Sequence, residues 1–171
     1  MDLEEFRNQV LPFKDRLYRL AGRMLNHHEE AMDVTQDVMI KLWNLRDDLD
    51  NYRNLEAFAM VMTKNMCLDR LKSKRWQEIS LKQEMVPGFM SSPEAQSEMS
   101  DTIRFINKLV NRLPEKQKII MQLRDIEQLE YEAIAEITGL SLNNIRVILS
   151  RARKKVRDEL IKVNSYEFSK N

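Results

Sequence analysis

The stretch Leu129-Glu130-Tyr131-Glu132-Ala133-Ile134-Ala135-Glu136-Ile137-Thr138-Gly139-Leu140-Ser141-Leu142-Asn143-Asn144-Ile145-Arg146 decides the fold, because it spells a short helix, a tight turn and the start of a longer helix. Gly139 can take the positive φ that ends the first helix, Leu140 plugs the angle between the two, and Ser141 can cap the second. The second helix is expected over Leu142 to Leu160. Along it Ile145, Leu149, Ala152, Val156 and Leu160 recur with the period of one buried face, and Asn143, Val147, Ser150 and Lys154 recur opposite them. Asn and Ser side chains can read base edges and Val can touch a thymine methyl, while Arg146, Arg151, Arg153, Lys155 and Arg157 can neutralise phosphates. A solvated basic helix has the same charge, but with this turn in front of it the pattern is that of a helix-turn-helix aimed at a major groove.

Working outward, the next feature is a boundary. Between Gln77 and Asp101, Pro87-Gly88 and Ser91-Ser92-Pro93 interrupt any helical pattern and apolar density falls. This reads as a flexible linker over residues 77–101, leaving units of residues 1–76 and 102–171, each near the lower size for independent folding. With three glycines and four prolines in 171 residues and no strand-like alternation, the fold class is all-α: two small helical domains joined by that linker. The 28 basic residues nearly balance the 27 acidic ones, so only their distribution is informative. Residues 26–50 hold seven acids against two bases, residues 64–76 five bases against one acid, residues 77–101 five acids against one base, and residues 142–160 six bases against two acids. Two basic segments are thus separated by an acidic one.

In the first unit a helix is expected from about Glu4 to Leu25, a turn at Asn26-His27-His28, a second helix from about Glu29 to Leu45 and a third from about Leu55 to Trp76. The second helix buries Ala31, Val34, Val38 and Leu42; opposite lie Asp33, Gln36, Asp37, Ile40 and Asn44. An Ile in the middle of an acidic and amide face suits a partner-binding surface, although a lone exposed Ile is ordinary. The third helix is expected to turn Leu55, Phe58, Met62 and Met66 inward, with Lys64, Cys67, Leu71 and Lys74 on the far side. Asn65 and Asp69 sit at its margin, where they can pair with nearby backbone or Arg70.

The segment Glu30 to Trp43 (EAMDVTQDVMIKLW) resembles the core-polymerase-binding segment of bacterial RNA polymerase sigma factors. Asn65 to Arg75 (NMCLDRLKSKR) resembles their minus-10 promoter segment, and Arg112-Leu113-Pro114-Glu115-Lys116-Gln117 through Leu149-Ser150-Arg151-Ala152-Arg153 resembles their minus-35 domain. The three blocks occur in the family's order, and the two-unit layout is similar to its extracytoplasmic-function subgroup. The resemblance implies that residues 1–76 bind core RNA polymerase and melt the minus-10 element while residues 102–171 read the minus-35 element. It assigns Asp33, Gln36, Asp37, Ile40, Lys41 and Trp43 to the polymerase. It assigns Asn51, Tyr52, Arg53, Asn54, Lys64, Asn65, Arg70, Lys72, Lys74 and Arg75 to minus-10 DNA, the first four as a loop receiving an extruded base. Asn143, Asn144, Arg146, Val147, Ser150, Arg151, Arg153 and Lys154 are assigned to minus-35 DNA. Tyr52 or Trp76 stacks on a base or simply packs. The implied partners are core RNA polymerase, promoter DNA and an anti-sigma factor.

Other function classes lack their chemistry. One cysteine gives neither a disulfide framework nor a thiolate cluster, and adjacent His27-His28 on a helix do not face one another, so no metal is expected. No nucleophile with a base and no phosphate-binding glycine loop is present, so no enzyme, no cofactor and no small-molecule substrate is expected. The acidic first residues and the absence of an apolar run of about 18 residues lead us to expect a cytoplasmic chain without membrane insertion. The alternative is an ordinary helix-turn-helix regulator, which needs a ligand pocket or a dimer seam that the first unit does not display. Opposite charges on the second helix and the basic segments also allow the two units to close on one another.

Overall fold

The computed structural model describes residues 1–73, 77, 78 and 100–168, with side chains through residue 165; most of the expected linker, and Lys74, Arg75 and Trp76, lie outside the described residues. Every regular element among them is helical. The first unit comprises α1 (Leu3–Gln9), α2 (Lys14–Leu25), α3 (His28–Asn44) and α4 (Leu55–Lys72). The second comprises α5 (Asp101–Asn111), α6 (Glu115–Met121), a π-helical turn (Gln122–Ile126), α7 (Tyr131–Thr138) and α8 (Leu142–Phe168).

The single first helix expected from Glu4 to Leu25 is in fact two. Asp2 and Glu5 form a reciprocal cap at the start of α1, 2.8 and 2.9 Å. Pro12 then lacks the N–H a helix interior needs and crowds the carbonyl four residues back, so the chain passes through a 3-10 turn, Leu11–Phe13, before α2. Asn26, in the left-handed region at φ 49°, ends α2 with its N–H on the Gly22 carbonyl at 2.7 Å. His27 caps α3 through Nδ1, and Ala31, Val34, Val38 and Leu42 are fully buried as their spacing required.

The core face expected for α4 is displaced. Ala57, Ala59, Met60, Thr63 and Cys67 are the buried positions, whereas Leu55, Phe58, Met62 and Met66 are half-buried. The reason is that α4 packs against α2 and α3 and also against α7 of the second unit. A helix covered by both units has no single inward stripe, and periodicity read for an isolated unit picks the wrong one.

In the second unit Ser100 caps α5 and Gly139, at φ +71°, ends α7 with its N–H on the Ala135 carbonyl at 2.8 Å. Ser141 Oγ accepts the Asn144 N–H at 3.2 Å at the start of α8. Ile145, Leu149, Ala152 and Val156 are buried, and α8 continues past Leu160 to Phe168. Ile120, Leu123, Ile134 and Ile145 join Leu17, Val34, Leu42 and Met60 in one apolar cluster spanning both units. A smaller cluster, Leu109, Val110, Leu113, Ala152 and Val156, belongs to the second unit alone.

Candidate functional site

On α8 the turn and the buried stripe leave Asn143, Asn144, Arg146, Val147, Ser150, Arg151, Arg153 and Lys154 exposed. Not all are equally available to a ligand. The Arg146 guanidinium lies 5.2 Å from the Tyr131 ring centre, a ring that Arg124 also covers at 4.6 Å. Arg153 is bound by both oxygens of Asp125, at 3.0 and 2.5 Å. Lys154 reaches Asp158 at 2.8 Å, and that hydrogen bond holds the Asp158 carboxyl below its ordinary range. Arg151, Lys155 and Arg157 are exposed on the same helix.

The loop before α4 and the helix itself carry the second expected set. Asn51, Tyr52 and Arg53 are exposed, and the Tyr52 ring stacks on Phe58 at 3.9 Å with 24° between planes. Asn54 instead faces its own helix: Oδ1 accepts the Ala57 N–H at 2.9 Å, so its amide serves as the cap of α4. Asn65 and Lys72 are exposed, while Lys64 is half-buried and burial lowers its pKa. Arg70 is not free to track phosphates in this conformation. It is clamped to Glu30, to Asp37 at 3.0 Å and, more distantly, to Asp33 at 3.9 Å.

On α3, Asp33, Gln36, Ile40 and Lys41 are exposed and Asp37 is half-buried. Trp43, half-buried, is edge-on to Phe6 at 5.1 Å with Arg46 over its ring at 4.7 Å. Met32, half exposed, was missed; with Gln36 and Ile40 it completes an i, i+4, i+8 row that the spacing could have shown. Through Arg70, the α3 face and the basic end of α4 become one continuous surface.

The seam between the units was not foreseen at residue level. Arg23 is 2% exposed, and its guanidinium donates to Gln122 Oε1 at 2.8 Å, Asn111 Oδ1 at 2.6 Å and Asn107 Oδ1 at 3.2 Å. Burial pushes its pKa down to about 10, which leaves it charged at neutral pH. Beside it Arg19 grips Glu127 with two bonds, 2.8 and 2.7 Å. Among the described residues no group of three or more His, Cys, Asp or Glu could hold a metal, and no helix is long and apolar enough to cross a membrane.

These two surfaces, each with its own helical unit, coincide with two families of sequence. Residues 10–77 match Sigma-70 region 2 and residues 106–156 match Sigma-70 region 4. The chain is 29% identical to the ECF RNA polymerase sigma factor SigE of Mycolicibacterium smegmatis, over 88% of this chain and 60% of that protein. It is 24% identical to the ECF sigma factor SigW of Bacillus subtilis, over 93% and 90%. The fold is similar to that of sigma factor RpoE from Bartonella quintana, solved with the anti-sigma factor NepR, with a TM-score of 0.75 at 24% identity over 94% of this chain and 99% of that one. It is also similar to CnrH, solved with the cytosolic domain of CnrY, with a TM-score of 0.67 at 19% identity over 94% and 90%. The two matched regions in order, the relatives that span nearly the whole chain, and the shared fold together show that this chain belongs to the extracytoplasmic-function group of the sigma-70 family of RNA polymerase sigma factors.

Proposed function

We propose that this chain binds core RNA polymerase and directs promoter-specific initiation, reading a minus-35 element as duplex with residues 102–171 and melting a minus-10 element with residues 1–76. The observation that carries the reading is the exposed row on α8, Asn143, Val147 and Ser150 flanked by cations, presented by a capped helix-turn-helix. Asn144, Arg146 and Arg151 extend that footprint. On the first unit, Met32, Asp33, Gln36, Ile40 and Lys41 form the polymerase face, with an apolar centre and a polar rim as docking surfaces have. Trp43 supports that face by fixing α3 against α1. Asn51, Tyr52 and Arg53 meet the melted strand, where the outer side of the stacked Tyr52–Phe58 pair can carry a base. Asn65 and Lys72 follow its backbone, Asn54 holds the loop, and Lys74 and Arg75 continue the basic segment. The chain acts without catalysis of its own, in the cytoplasm, and an anti-sigma factor holds it in check, as the relative solved with such a partner suggests.

The test is run-off transcription by purified core polymerase on a genomic promoter library, with and without the chain at one fixed salt concentration, since phosphate contacts make affinity salt-dependent. New start sites downstream of a shared pair of spaced motifs are expected. Duplex binding without any initiation would favour the ordinary regulator.

A further inference from the structure

The exposed arginines of α8 differ in a way that their charge does not show. Arg151, among the described residues, has neither a hydrogen bond nor an ion pair. Arg153 is held in place, but its Nε and Nη2 donors are taken by the two oxygens of Asp125. Arg146 is a third kind. Its guanidinium is held over the Tyr131 ring, 5.2 Å from the centre, and among the described residues no hydrogen bond or ion pair occupies its donors. A cation over a ring is attracted by the ring's electrons and not by a hydrogen-bond acceptor, so this support leaves the N–H groups unspent.

The support is itself fixed. Tyr131 opens α7, is half-buried and packs against the apolar cluster. Arg124, from the π-helical turn, lies over the same ring at 4.6 Å and donates from Nη1 to the Leu129 carbonyl at 2.7 Å, with Glu130 at 3.6 Å. The π-turn, α7 and α8 therefore meet at one ring. Arg146 borders the exposed row on α8, three positions after Asn143 and four before Ser150, near the start of the helix. The N-terminal residues of a recognition helix are those that meet base edges.

The two tasks of an arginine on DNA ask for different things. A phosphate needs a charge nearby, which a mobile side chain supplies. A base edge needs the planar fork in one position, and orienting a free side chain costs its rotamer freedom. Arg151 suits the first task and Arg146 the second. Paired contact with O6 and N7 of guanine is the commonest specific use of that fork in the major groove. We infer that Tyr131, on the first helix of the helix-turn-helix, is a positioning residue that holds Arg146 to read a guanine in minus-35 duplex. Arg146 is then a specificity determinant and not one more phosphate cation. The inference rests on the reading of α8 as the minus-35 helix, and Tyr131 acts through Arg146.

The test uses the full chain at one fixed salt concentration. A pool of duplexes randomised over one turn gives the sequence that wild type prefers. Each base pair of that sequence is then replaced in turn, and each guanine also by 7-deazaguanine, which lacks the N7 acceptor but still pairs with cytosine. Discrimination is a ratio of two affinities of one preparation, so a partly unfolded variant does not distort it. Wild type should lose about 5- to 150-fold in affinity when one particular guanine is replaced, the range of a bidentate contact, and should also be weakened by 7-deazaguanine there. Arg146→Ala should lose that discrimination and keep the preferences at other pairs. Tyr131→Leu should lower it by about two- to fivefold, the range of an exposed cation–ring contact, with the salt dependence of binding unchanged. Tyr131→Phe, which keeps the ring, should match wild type, and Tyr131→Leu should change nothing further at that guanine once Arg146 is Ala.

Full discrimination in Tyr131→Leu, or a loss as large in Tyr131→Phe, would overturn the positioning role. Arg146→Ala weakening every sequence equally, with a log–log salt slope smaller by about 0.9, would make Arg146 a phosphate cation. A preferred sequence indifferent to Arg146 sinks this inference and leaves the minus-35 reading standing. A wild type that enriches no sequence sinks both.

Discussion

Arg70 stands where two surfaces meet. The basic run Arg70 to Arg75 suggested a cation for phosphate, yet the fold turns Arg70 back onto Glu30 and Asp37, two residues of α3 that lie 40 and 33 positions earlier. Sequence periodicity assigns a residue to a face of its own helix; it does not say which helix that face meets, and for that reason the chemistry of Arg70 was legible while its partner was not. Glu30, with a side chain 7% exposed, loses its cation in Arg70→Ala, which should cost about 2 kcal/mol, a fall in Tm of about 4–8 °C for a chain of this size. Glu30→Gln, which leaves no buried anion, should cost less, and thermal unfolding of the pair of variants reads the difference. Cys67 is a second case. Its thiol was placed on the outer side of the third helix, but it is fully buried, and burial pushes its pKa from 9.0 up to about 12. Between those values the unfolded chain releases the proton and the native chain keeps it, so native protein binds more protons and stability falls as pH rises through the window. Urea midpoints at pH 8 and pH 10 should show a loss of about 1 kcal/mol in the native chain that is absent from Cys67→Ala. Native Cys67 should also resist a thiol reagent that titrates it fully in urea.

Elements were read well where their signals were local. The turn Gly139-Leu140-Ser141, the Ser141 cap on α8 and the buried stripe of α8 through Val156 appear where residue type and spacing put them, whereas α3 and α4 are capped by His27 and Asn54, read from the sequence as a turn residue and a DNA-contacting loop residue. The break at Pro12 was just as local and was outweighed by a long apolar period running through it. Gly139 has nothing within 4 Å of where a Cβ would stand, so only its φ of +71° resists substitution. Gly139→Ala should therefore cost about 1–2 kcal/mol through backbone strain alone, and Gly139→Asn less, since Asn tolerates the left-handed region; chemical denaturation separates the two. On α8 the exposed cations divide into those already paired and those free to meet phosphate. The salt dependence of minus-35 duplex binding should weaken by about 0.9 in log–log slope in Arg151→Ala. Arg153→Ala, whose guanidinium Asp125 already holds, should change the slope by less than half as much. Equal changes in both would mean that the Arg153–Asp125 pair dissolves when DNA arrives.

At the scale of the whole molecule the reading as two tethered units caught the parts and missed their joint. Charge patterning pointed to mutual attraction, but through the acids of the second helix; the contact that forms uses Arg16 and Arg19 against Glu127 and Arg23 against the amides of Asn107, Asn111 and Gln122, the three arginines spaced i, i+3, i+7 along α2. An Arg set among Leu20, Ala21, Met24 and Leu25 is the one trace the sequence carried of it, and a single residue of that kind does not name a partner about a hundred positions away. The joint makes a prediction about conformation that no substitution at a DNA-reading residue can imitate. Arg19→Cys with Glu127→Cys removes the ion pair and places two thiols where the units touch, while the fully buried Cys67 stays unreactive. A short cross-linker with an internal disulfide should lock this variant closed, with helical content by circular dichroism unchanged. Locked protein should still bind minus-35 duplex, because the reading residues of α8 remain exposed, and should lose run-off activity by about tenfold or more, since the competent fraction sets the apparent affinity. Cleaving the linker with reductant should return activity to about the wild-type level, as the two units are then no longer tied together. Full activity in the locked state would mean that both promoter elements are served from the closed form, with the DNA rather than the protein bending to bring them together, at an elastic cost of several kcal/mol.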